Sequence, residues 1–524
     1  MSDAVLAKAP ATHHKRDLWP LVEVVALVAI LLLAAWLRLH RVEATPGWYT
    51  DEGTHLAIGS ALAEGRWQYL AVNQSTLLFA RLPLFELLLA GSIRLFGLEM
   101  STLRGLTGLL GVISVALVFG ITRRLSRDER WLPLLAAFAL AIYPQAVLYS
   151  RFGFSYNLLA PFVLLALWGL AEYWRADAHS GRAWLLLAAV AVGIGLLSDL
   201  MMGTLVAPLF VVVVLKRWRD ALWSVPLVFV PFGIYALLML MSVPDAFRFD
   251  LNYTLFRLNR LSLPDQIANV ALNYTVLLSQ EMGFLLGVIG LFLLRQPVVR
   301  AAALLVLLLP IIILGRTVAL YHLSAYYVIP LLPLVALGIA ALLRDGSVFL
   351  WRNIMAWEMV ESPLIRRLGA AAALGFVIGV PLVTSVAVTL GNVNGQYPTA
   401  IDPFLLAPTD VRAVTDFLNT EAAPGDVVIA SPGIAWRLNA LATDFQMSVS
   451  YTGEDSVHLP GDLPVSRYAF DPRVENARFA VVDDLWRNWG AVHIPGAARI
   501  LQIVEGWPRV FEAGSVMVYR KPQR

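Results

Sequence analysis

Two adjacent carboxylates, Asp51 and Glu52, stand in the segment that follows the first long apolar run of the chain. A carboxylate in such a place can act as a general base that takes a proton from a hydroxyl group. Thr50 or Asp51 could equally cap a following helix, with both acids in its first turn, where the helix dipole favours negative charge. Spacing alone leaves both interpretations open.

The two aromatic residues ahead of the acids, Trp48 and Tyr49, also allow two interpretations. Their rings could stack on a sugar. They could instead belong to the belt of aromatic side chains at a membrane–water interface, which is the more common role.

The composition is that of a membrane protein. Hydrophobic residues make up 58% of the 524 residues and charged residues 15%, against about 25% charged residues in soluble proteins. Apolar runs of about 20 residues recur, which is the length that crosses a hydrocarbon core as a helix. The absence of cysteine excludes disulfides and thiolate chemistry. The net charge of +3 comes from arginines beside the apolar runs, so no nucleic-acid partner is expected.

The hydropathy pattern predicts about eleven transmembrane helices. They cover residues 18–38, 103–122, 131–149, 156–173, 183–197, 201–215, 221–242, 279–294, 301–315, 322–343 and 369–390. A weaker candidate, 79–97, carries Arg81, Glu86 and Arg94, and these charges make a crossing costly. If it lies flat, all loops on the N-terminal side are basic, which places the N-terminus in the cytoplasm and the C-terminus outside.

This topology divides the chain into four parts. Residues 1–17 are a cytoplasmic tail before a retained anchor helix, and 18–390 are the transmembrane module, with long outer loops at 39–102 and 243–278. Residues 391–408 are predicted to be a linker, and 409–524 an extracytoplasmic, soluble α/β domain. The expected elements of the outer parts are helices at 52–65, 82–97 and 410–419, strands at 427–430 and 479–482, and a strand pair around Ala513.

Several motifs, in their order and topology, resemble the GT-C membrane glycosyltransferases. The narrower resemblance is to the bacterial superfamily of protein O-mannosyltransferases and aminoarabinose transferases, and it covers about residues 18–390. The motifs after the acidic pair are Leu82-Pro83-Leu84, Leu95-Phe96-Gly97 followed by Arg104, Tyr149-Ser150-Arg151, and the Tyr-rich and Pro-rich run from Tyr326 to Pro333. The resemblance implies a multi-pass protein of a bacterial-type inner membrane.

The resemblance also implies a reaction, namely transfer of a hexose or pentose from a polyprenyl phosphate to an exported acceptor, with inversion. Asp51 would be the base that deprotonates the acceptor hydroxyl, and Glu52 would support it. Positive groups are needed where charge develops on the phosphate. The candidates on the outer face are Arg81, Arg151, Arg257, Arg260, Arg316 and His322. Trp48, Tyr49 and Tyr326 would contact the substrate.

Other points stay open at the level of sequence. The acceptor could be a protein hydroxyl, an envelope glycan or a lipid. No cofactor is required, and a divalent metal beside Asp51 would need ligands that the neighbouring sequence does not supply. Two further functional classes are a non-catalytic accessory subunit with the same fold and a lipid or solute transporter. A transporter would place its charges near the bilayer midplane, whereas here they gather at the outer ends of the spans.

Overall fold

The structure is a computed structural model that describes residues 18–73, 82–126, 129–177, 179–258, 261–280, 282–294, 296, 298–299, 324–356, 362–396 and 404–523. Up to residue 393 its elements are, in chain order, α1 (Trp19–Leu39), β1 (Trp48–Tyr49), α2 (Thr50–Ala63), β2 (Gln68–Tyr69), β3 (Val72–Asn73), α3 (Pro83–Phe96), α4 (Met100–Leu125), α5 (Leu132–Ile142), α6 (Pro144–Ser150), α7 (Tyr156–Arg175), α8 (Ser180–Gly195), α9 (Val206–Ser242), α10 (Pro244–Leu258), α11 (Leu263–Gln280), α12 (Met282–Leu293), α13 (Leu332–Met355) and α14 (Pro363–Val393). Short 3₁₀ helices, Leu200–Leu205 and Ser324–Leu331, precede α9 and α13.

Long apolar helices confirm the predicted multi-pass architecture. Among the described residues, six helices are long and apolar enough to cross a membrane, and they include α1, α4, α7, α9, α13 and α14. The pair α5 and α6, bent by 57°, would make a seventh span, and α8 and α12 are shorter apolar helices. The predicted spans 201–215 and 221–242 share α9, which leaves helical geometry at Arg217. The predicted span 301–315 lies outside the described residues.

Small residues allow two of these helices to meet closely. A Cβ atom on Gly290 of α12 would lie 1.8 Å from the carbonyl oxygen of Gly338 on α13. Only glycine permits that approach, and such small-residue contacts are the usual means by which helices pack in a membrane. The contact fixes α13, which continues from the 3₁₀ helix that carries Tyr326.

The weak candidate span at 79–97 forms the 14-residue helix α3 within its described part. Such a helix is about 21 Å long, which is shorter than a hydrocarbon core of about 30 Å. Pro83 occupies its first turn, where the missing amide hydrogen costs nothing. Its buried face, which includes Phe85 and Leu89, packs in the same apolar cluster as Leu56 of α2.

The C-terminal unit, residues 404–523, combines helices with a mixed sheet. Its elements are β4 (Leu405–Leu406), α15 (Pro408–Glu421), β5 (Val427–Ile429), α16 (Pro432–Ala435), β6 (Leu441–Thr443), α17 (Phe445–Tyr451), β7 (Ala477–Val482), α18 (Ala491–His493), α19 (Pro495–Glu505), β8 (Arg509–Ala513) and β9 (Val516–Arg520). Five strands form one sheet in the order β6-β5-β7-β9-β8. Strands β6, β5 and β7 run parallel, whereas β9 is antiparallel to both β7 and β8.

The C-terminal unit and the segment between α1 and α3 share one core. A single buried apolar cluster contains Trp48 and Leu56 of that segment together with Val411, Val428 and Phe479 of the C-terminal unit. Because these side chains are removed from water together, the unit is packed directly on the segment that carries the acidic pair.

Candidate active site

The acidic pair lies in the first turn of α2, as predicted, but the capping residue is Tyr49 and not Thr50 or Asp51. The two acids have different surroundings. Glu52 is completely buried, whereas Asp51 is half-buried. The backbone amide of Tyr49 donates to Oε2 of Glu52 at 2.8 Å, which is one half of a capping box. The backbone amide of Gly153 donates to Oε1 of the same carboxylate at 2.6 Å.

Arg104 of α4 binds Glu52 with both ends of its planar guanidinium. Nε donates to Oε1 at 2.7 Å, and Nη2 donates to Oε2 at 2.5 Å. The remaining hydrogens reach the carbonyl oxygens of Val42 and Pro46, each at 2.9 Å, and of Gly47 at 2.8 Å. Arg104 therefore ties the start of α2 to the loop between α1 and β1, and a two-pronged contact of this kind fixes orientation as well as distance.

Arg151, a predicted phosphate-binding residue, is buried and holds the same loop. Its Nη1 donates to the carbonyl oxygens of Leu37 and His40, each at 2.9 Å. Its Nη2 donates to the carbonyl oxygen and to the hydroxyl oxygen of Thr45, each at 2.8 Å. The Thr45 hydroxyl also lies 2.9 Å from the carbonyl oxygen of Val393, near the end of α14.

A third buried arginine, Arg38, lies at the end of α1 and donates to the carbonyl oxygens of Leu140 and Ala141, each at 3.0 Å. Arg38, Arg104 and Arg151 are all at most 1% exposed, and Glu52 is the carboxylate that Arg104 binds. The end of α1, the loop that follows it and the start of α2 are thus held by three buried guanidinium groups, against one buried carboxylate that pairs with them. Such an excess of positive charge at low dielectric favours a negatively charged ligand nearby.

Asp51 lies beside a cluster of aromatic rings. Tyr49 contacts Phe154 at 5.2 Å between ring centroids and Tyr326 at 6.3 Å. Tyr326 also packs on Tyr156 at 5.4 Å and on Tyr327 at 4.5 Å. The charge of Asp51 acts on Tyr326, so the structure brings together three of the predicted site residues, Asp51, Tyr49 and Tyr326.

Residues of the C-terminal unit also contact the segment that carries Asp51. Strand β4 pairs antiparallel with β1, so that Leu405 faces Tyr49 and Leu406 faces Trp48. The backbone amide of Thr50 donates to the carbonyl oxygen of Phe404 at 3.0 Å, and the Phe404 ring stacks on Tyr49 at 5.7 Å. Two residues of the predicted linker thus form a strand beside the acidic pair.

A close backbone contact joins α2 to the C-terminal unit. A Cβ atom on Gly53 would lie 2.0 Å from the carbonyl oxygen of Pro432, the first residue of α16. Only a glycine fits there, because both partners are backbone in packed helices. The contact lies two residues after Asp51.

The other predicted site residues are distributed more widely. Trp48 is fully buried, donates its indole hydrogen to the carbonyl oxygen of Glu43, and lies under the guanidinium groups of Arg412 and Arg437. Arg257 falls in α10, of which the structure describes only the backbone at that point. Four predicted phosphate-binding residues lie outside the described residues, namely Arg81, Arg260, Arg316 and His322.

Several residues that shape the site were not predicted as site residues. Arg38, Phe154 and Phe404 carried no motif, and Arg104 entered only as part of the family resemblance. The one signal in the sequence was the position of Arg38 and Arg104 inside the apolar spans, where a charged residue needs a polar partner. In the described part of the chain, no three His, Asp or Glu side chains come together as a metal-binding group.

In fold and in part of its sequence, the chain is similar to proteins of the superfamily that its motifs resemble, so the resemblance is confirmed. The chain is similar to ArnT from Cupriavidus metallidurans, solved with bound undecaprenyl phosphate, with a TM-score of 0.61 and 15% identity over 95% of this chain and 99% of that chain. It is also similar to the oligosaccharyltransferase AglB from Archaeoglobus fulgidus, solved with an inhibitory peptide and a dolichol-phosphate, with a TM-score of 0.53 and 13% identity over 92% of this chain and 72% of that chain.

The sequence comparisons cover less of the chain. Residues 80–244 match the family described as dolichyl-phosphate-mannose-protein mannosyltransferase. No curated protein matches the chain significantly. The match includes α3 to α9 and therefore both Arg104 and Arg151.

Proposed function

We propose that the chain is a membrane glycosyltransferase that moves a sugar from a polyprenyl-phosphate donor to a hydroxyl group of an exported acceptor. The observation that carries the proposal is the difference in burial between the two acids. Glu52 is buried and bound by Arg104 and two backbone amides, while half-buried Asp51 lies next to it at the aromatic cluster. The fold and the match of residues 80–244 support the same reaction class.

In this proposal Asp51 is the general base. Its carboxylate takes the proton of the acceptor hydroxyl as the hydroxyl oxygen attacks the anomeric carbon. The bond from that carbon to the phosphate oxygen breaks, and the electron pair leaves with the lipid phosphate, so that attack from the opposite side inverts the configuration. The ArnT structure contains undecaprenyl phosphate, which is the kind of lipid phosphate that would leave.

Positive charge stabilises the departing phosphate in this scheme. The three buried arginines supply a favourable field, although the Nη atoms of Arg104 and Arg151 are committed to loop oxygens. Direct contacts to the phosphate would come from the remaining candidates, Arg81, Arg257, Arg260, Arg316 and His322. Tyr49 and Tyr326 would border the sugar, and Glu52 would hold Asp51 in place.

We further propose that the reaction takes place on the outer face of a bacterial-type inner membrane. The basic loops between the predicted spans support this orientation, because Lys and Arg favour the cytoplasmic side. The C-terminal unit would then be extracytoplasmic, which agrees with its packing on the outer loop that carries Asp51.

The replacement Asp51→Asn tests the proposal. Purified protein would be supplied with polyprenyl-phosphate mannose, arabinose or aminoarabinose in separate reactions, and transfer to an exported fraction of the cell envelope would be measured. Loss of the base should reduce transfer by about 10²–10⁴-fold. Asp416→Asn, which removes an exposed acid of the C-terminal unit, is the matched control. Equal transfer by the Asp51→Asn variant and the wild type would exclude Asp51 as the base.

A further inference from the structure

A cleft of about 550 Å³ lies between the first outer loop and the C-terminal unit. One wall is a face of α2, with Ala57, Ser60, Ala61 and Glu64 at helical spacings of three and four. The opposite wall is the chain from residue 435 to residue 442, which includes most of β6. Ser60 follows Asp51 by nine residues, or two and a half turns, so the helix directs these two side chains to opposite sides. The cleft is therefore a second site, separate from the candidate active site.

Strand β6 turns an unpaired edge toward this cleft. It is the first strand in the sheet order and, within the part of the chain that the structure describes, it pairs with β5 alone. The amide of Leu441 bonds to Asp426, and the carbonyl of Thr443 accepts from Ala430. Because alternate residues of a parallel strand face the same neighbour, the amide and carbonyl of Ala442 point to the opposite side, which is the side of the cleft.

The two edges of the sheet differ in how they are protected. The edge strand β8 carries Arg509 and Glu512, which form an exposed ion pair at 2.8 Å. Charges on an edge strand discourage another chain from pairing with it. The β6 segment, with Ala440, Leu441, Ala442 and Thr443, carries no charge and no proline, so its backbone groups are open to a further strand.

The charged side chains around the cleft are balanced. Arg66 pairs with Glu64 at 2.5 Å, and Arg437 lies 3.7 Å from Glu99. The half-buried Leu70, Leu438 and Phe470 add apolar surface. A phosphate or another strongly charged ligand would find no unbalanced charge here, whereas the polar backbone of an extended peptide matches a mainly polar lining beside a free strand edge.

We propose that this cleft binds an extended segment of the acceptor polypeptide, which adds to β6 as a further strand. The inference rests on the proposed function and narrows its acceptor class to proteins. The bound segment would be chain that flanks the glycosylated residue, because the cleft and Asp51 lie on different sides of α2. Main-chain hydrogen bonds to Ala442 would supply binding that tolerates many sequences, and the cleft walls would select side chains.

Two peptides test the mode of binding with the full-length protein in detergent micelles. The probe is a fluorescein-labelled dodecapeptide of alternating Thr and Val, and its binding is followed by fluorescence anisotropy. The matched peptide has the same side chains but is N-methylated at alternate amides, which removes donors for strand pairing. We expect the N-methylated peptide to bind at least about tenfold more weakly. Equal binding of the two peptides, or no binding of either, would overturn the proposal.

Two variants locate the site. Ala442→Pro removes the outward amide but leaves the bonds of Leu441 and Thr443 to β5, as proline can occupy an edge strand. Ala442→Val keeps the amide and suits a strand. We expect the proline variant to weaken peptide binding about tenfold and the valine variant to match the wild type. Hydrogen exchange at residues 440–443 should slow when peptide is added, and unchanged exchange would contradict the proposal.

The same assay separates this inference from the proposed function. Asp51→Asn should lose sugar transfer and still bind the dodecapeptide, because Asp51 lies outside the cleft. If neither protein transfers sugar but both bind the peptide at β6, the proposed function fails and the peptide site stands. Displacement of the peptide by the neutral glycan maltohexaose, with no difference between the two peptides, would show a glycan site and overturn the inference.

Discussion

Arg104 and Glu52 form a fully buried ion pair directly beside Asp51, with both side chains at 0% exposure and Nη2 lying 2.5 Å from Oε2. A buried ion pair of this kind costs desolvation energy when it forms, but the loss of one partner leaves a buried charge without compensation. Glu52 therefore matters to the site through structure, because it anchors the helix on which Asp51 lies.

Because Glu52 anchors α2 while Asp51 is the proposed base, substitutions of the two acids should have different effects on stability and on sugar transfer. Glu52→Gln should lower the free energy of unfolding by about 3–5 kcal/mol, because the guanidinium of Arg104 stays buried without its counter-charge. Asp51→Asn should reduce sugar transfer with a smaller effect on the apparent unfolding temperature. Thermal unfolding in detergent, followed by tryptophan fluorescence, measures the difference. Glu64→Gln, which alters an exposed acid just after α2, should have no effect on unfolding. Equal stability of the Glu52→Gln and Glu64→Gln variants would contradict the anchoring role.

The sequence predicted the multi-pass helical architecture and a helix that has the acidic pair in its first turn, for a physical reason. Membrane spans follow from a local property, since a run of apolar residues must become a helix in lipid. The start of α2 is also local, because Asp51 and Glu52 suit a first helical turn.

Long-range contacts were much harder to predict from the sequence. Arg104 lies 52 positions after Glu52, and its other partners are backbone oxygens, which carry no residue signature. Strand β4 has two residues within a stretch that composition marks as a linker, and it pairs with β1 from more than 350 positions away. Strand β6 has three residues and was not predicted, because so short a strand has no measurable alternation.

Gly53 tests whether the C-terminal unit must stay docked on α2. Gly53→Ala would place a Cβ atom 2.0 Å from the carbonyl oxygen of Pro432, and the resulting overpacking should cost about 1–3 kcal/mol. We expect faster hydrogen exchange in α16 and reduced sugar transfer. Gly91→Ala is the control, because a Cβ atom there would meet no heavy atom within 4 Å. If the amides of α16 exchange hydrogen as slowly in the Gly53→Ala variant as in the Gly91→Ala variant, this contact does not hold the C-terminal unit on α2.

Phe404 tests the aromatic contact between the C-terminal unit and the site. Its ring stacks on Tyr49 at 5.7 Å and contacts Trp489 at 5.6 Å. Because such ring pairs contribute about 0.5–1.5 kcal/mol each, Phe404→Ala should reduce sugar transfer by about 2–10-fold while the protein stays folded. Phe376→Ala, at a ring that is 71% exposed on α14, should leave transfer unchanged. A rate for Phe404→Ala equal to that control would show that the stack does not position the site.

Asp250 links α10 to the C-terminal unit. Its carboxylate is buried and lies 3.4 Å from Nη2 of Arg467, and the Nε of Arg467 donates to the carbonyl oxygen of Asn73 at 3.2 Å. Burial raises the pKa of Asp250 to about 7, although the charge of Arg467 acts in the opposite direction. In the unfolded chain the same carboxyl group has a pKa of about 3.9.

This pKa difference predicts how stability depends on pH. Between about pH 4 and pH 7 the folded protein holds a proton on Asp250 that the unfolded chain releases, so the stability linked to this group falls as pH rises through that range, by about 2–4 kcal/mol. The Asp250→Asn variant keeps the shape of the side chain but lacks its titratable carboxyl group. We therefore expect the apparent unfolding temperature of the wild type to fall more steeply from pH 5 to pH 8 than that of the Asp250→Asn variant. Asp245→Asn, at an exposed acid of the same helix, should retain the wild-type dependence of the unfolding temperature on pH. If the Asp250→Asn variant shows the same dependence as the Asp245→Asn variant, Asp250 is not its cause.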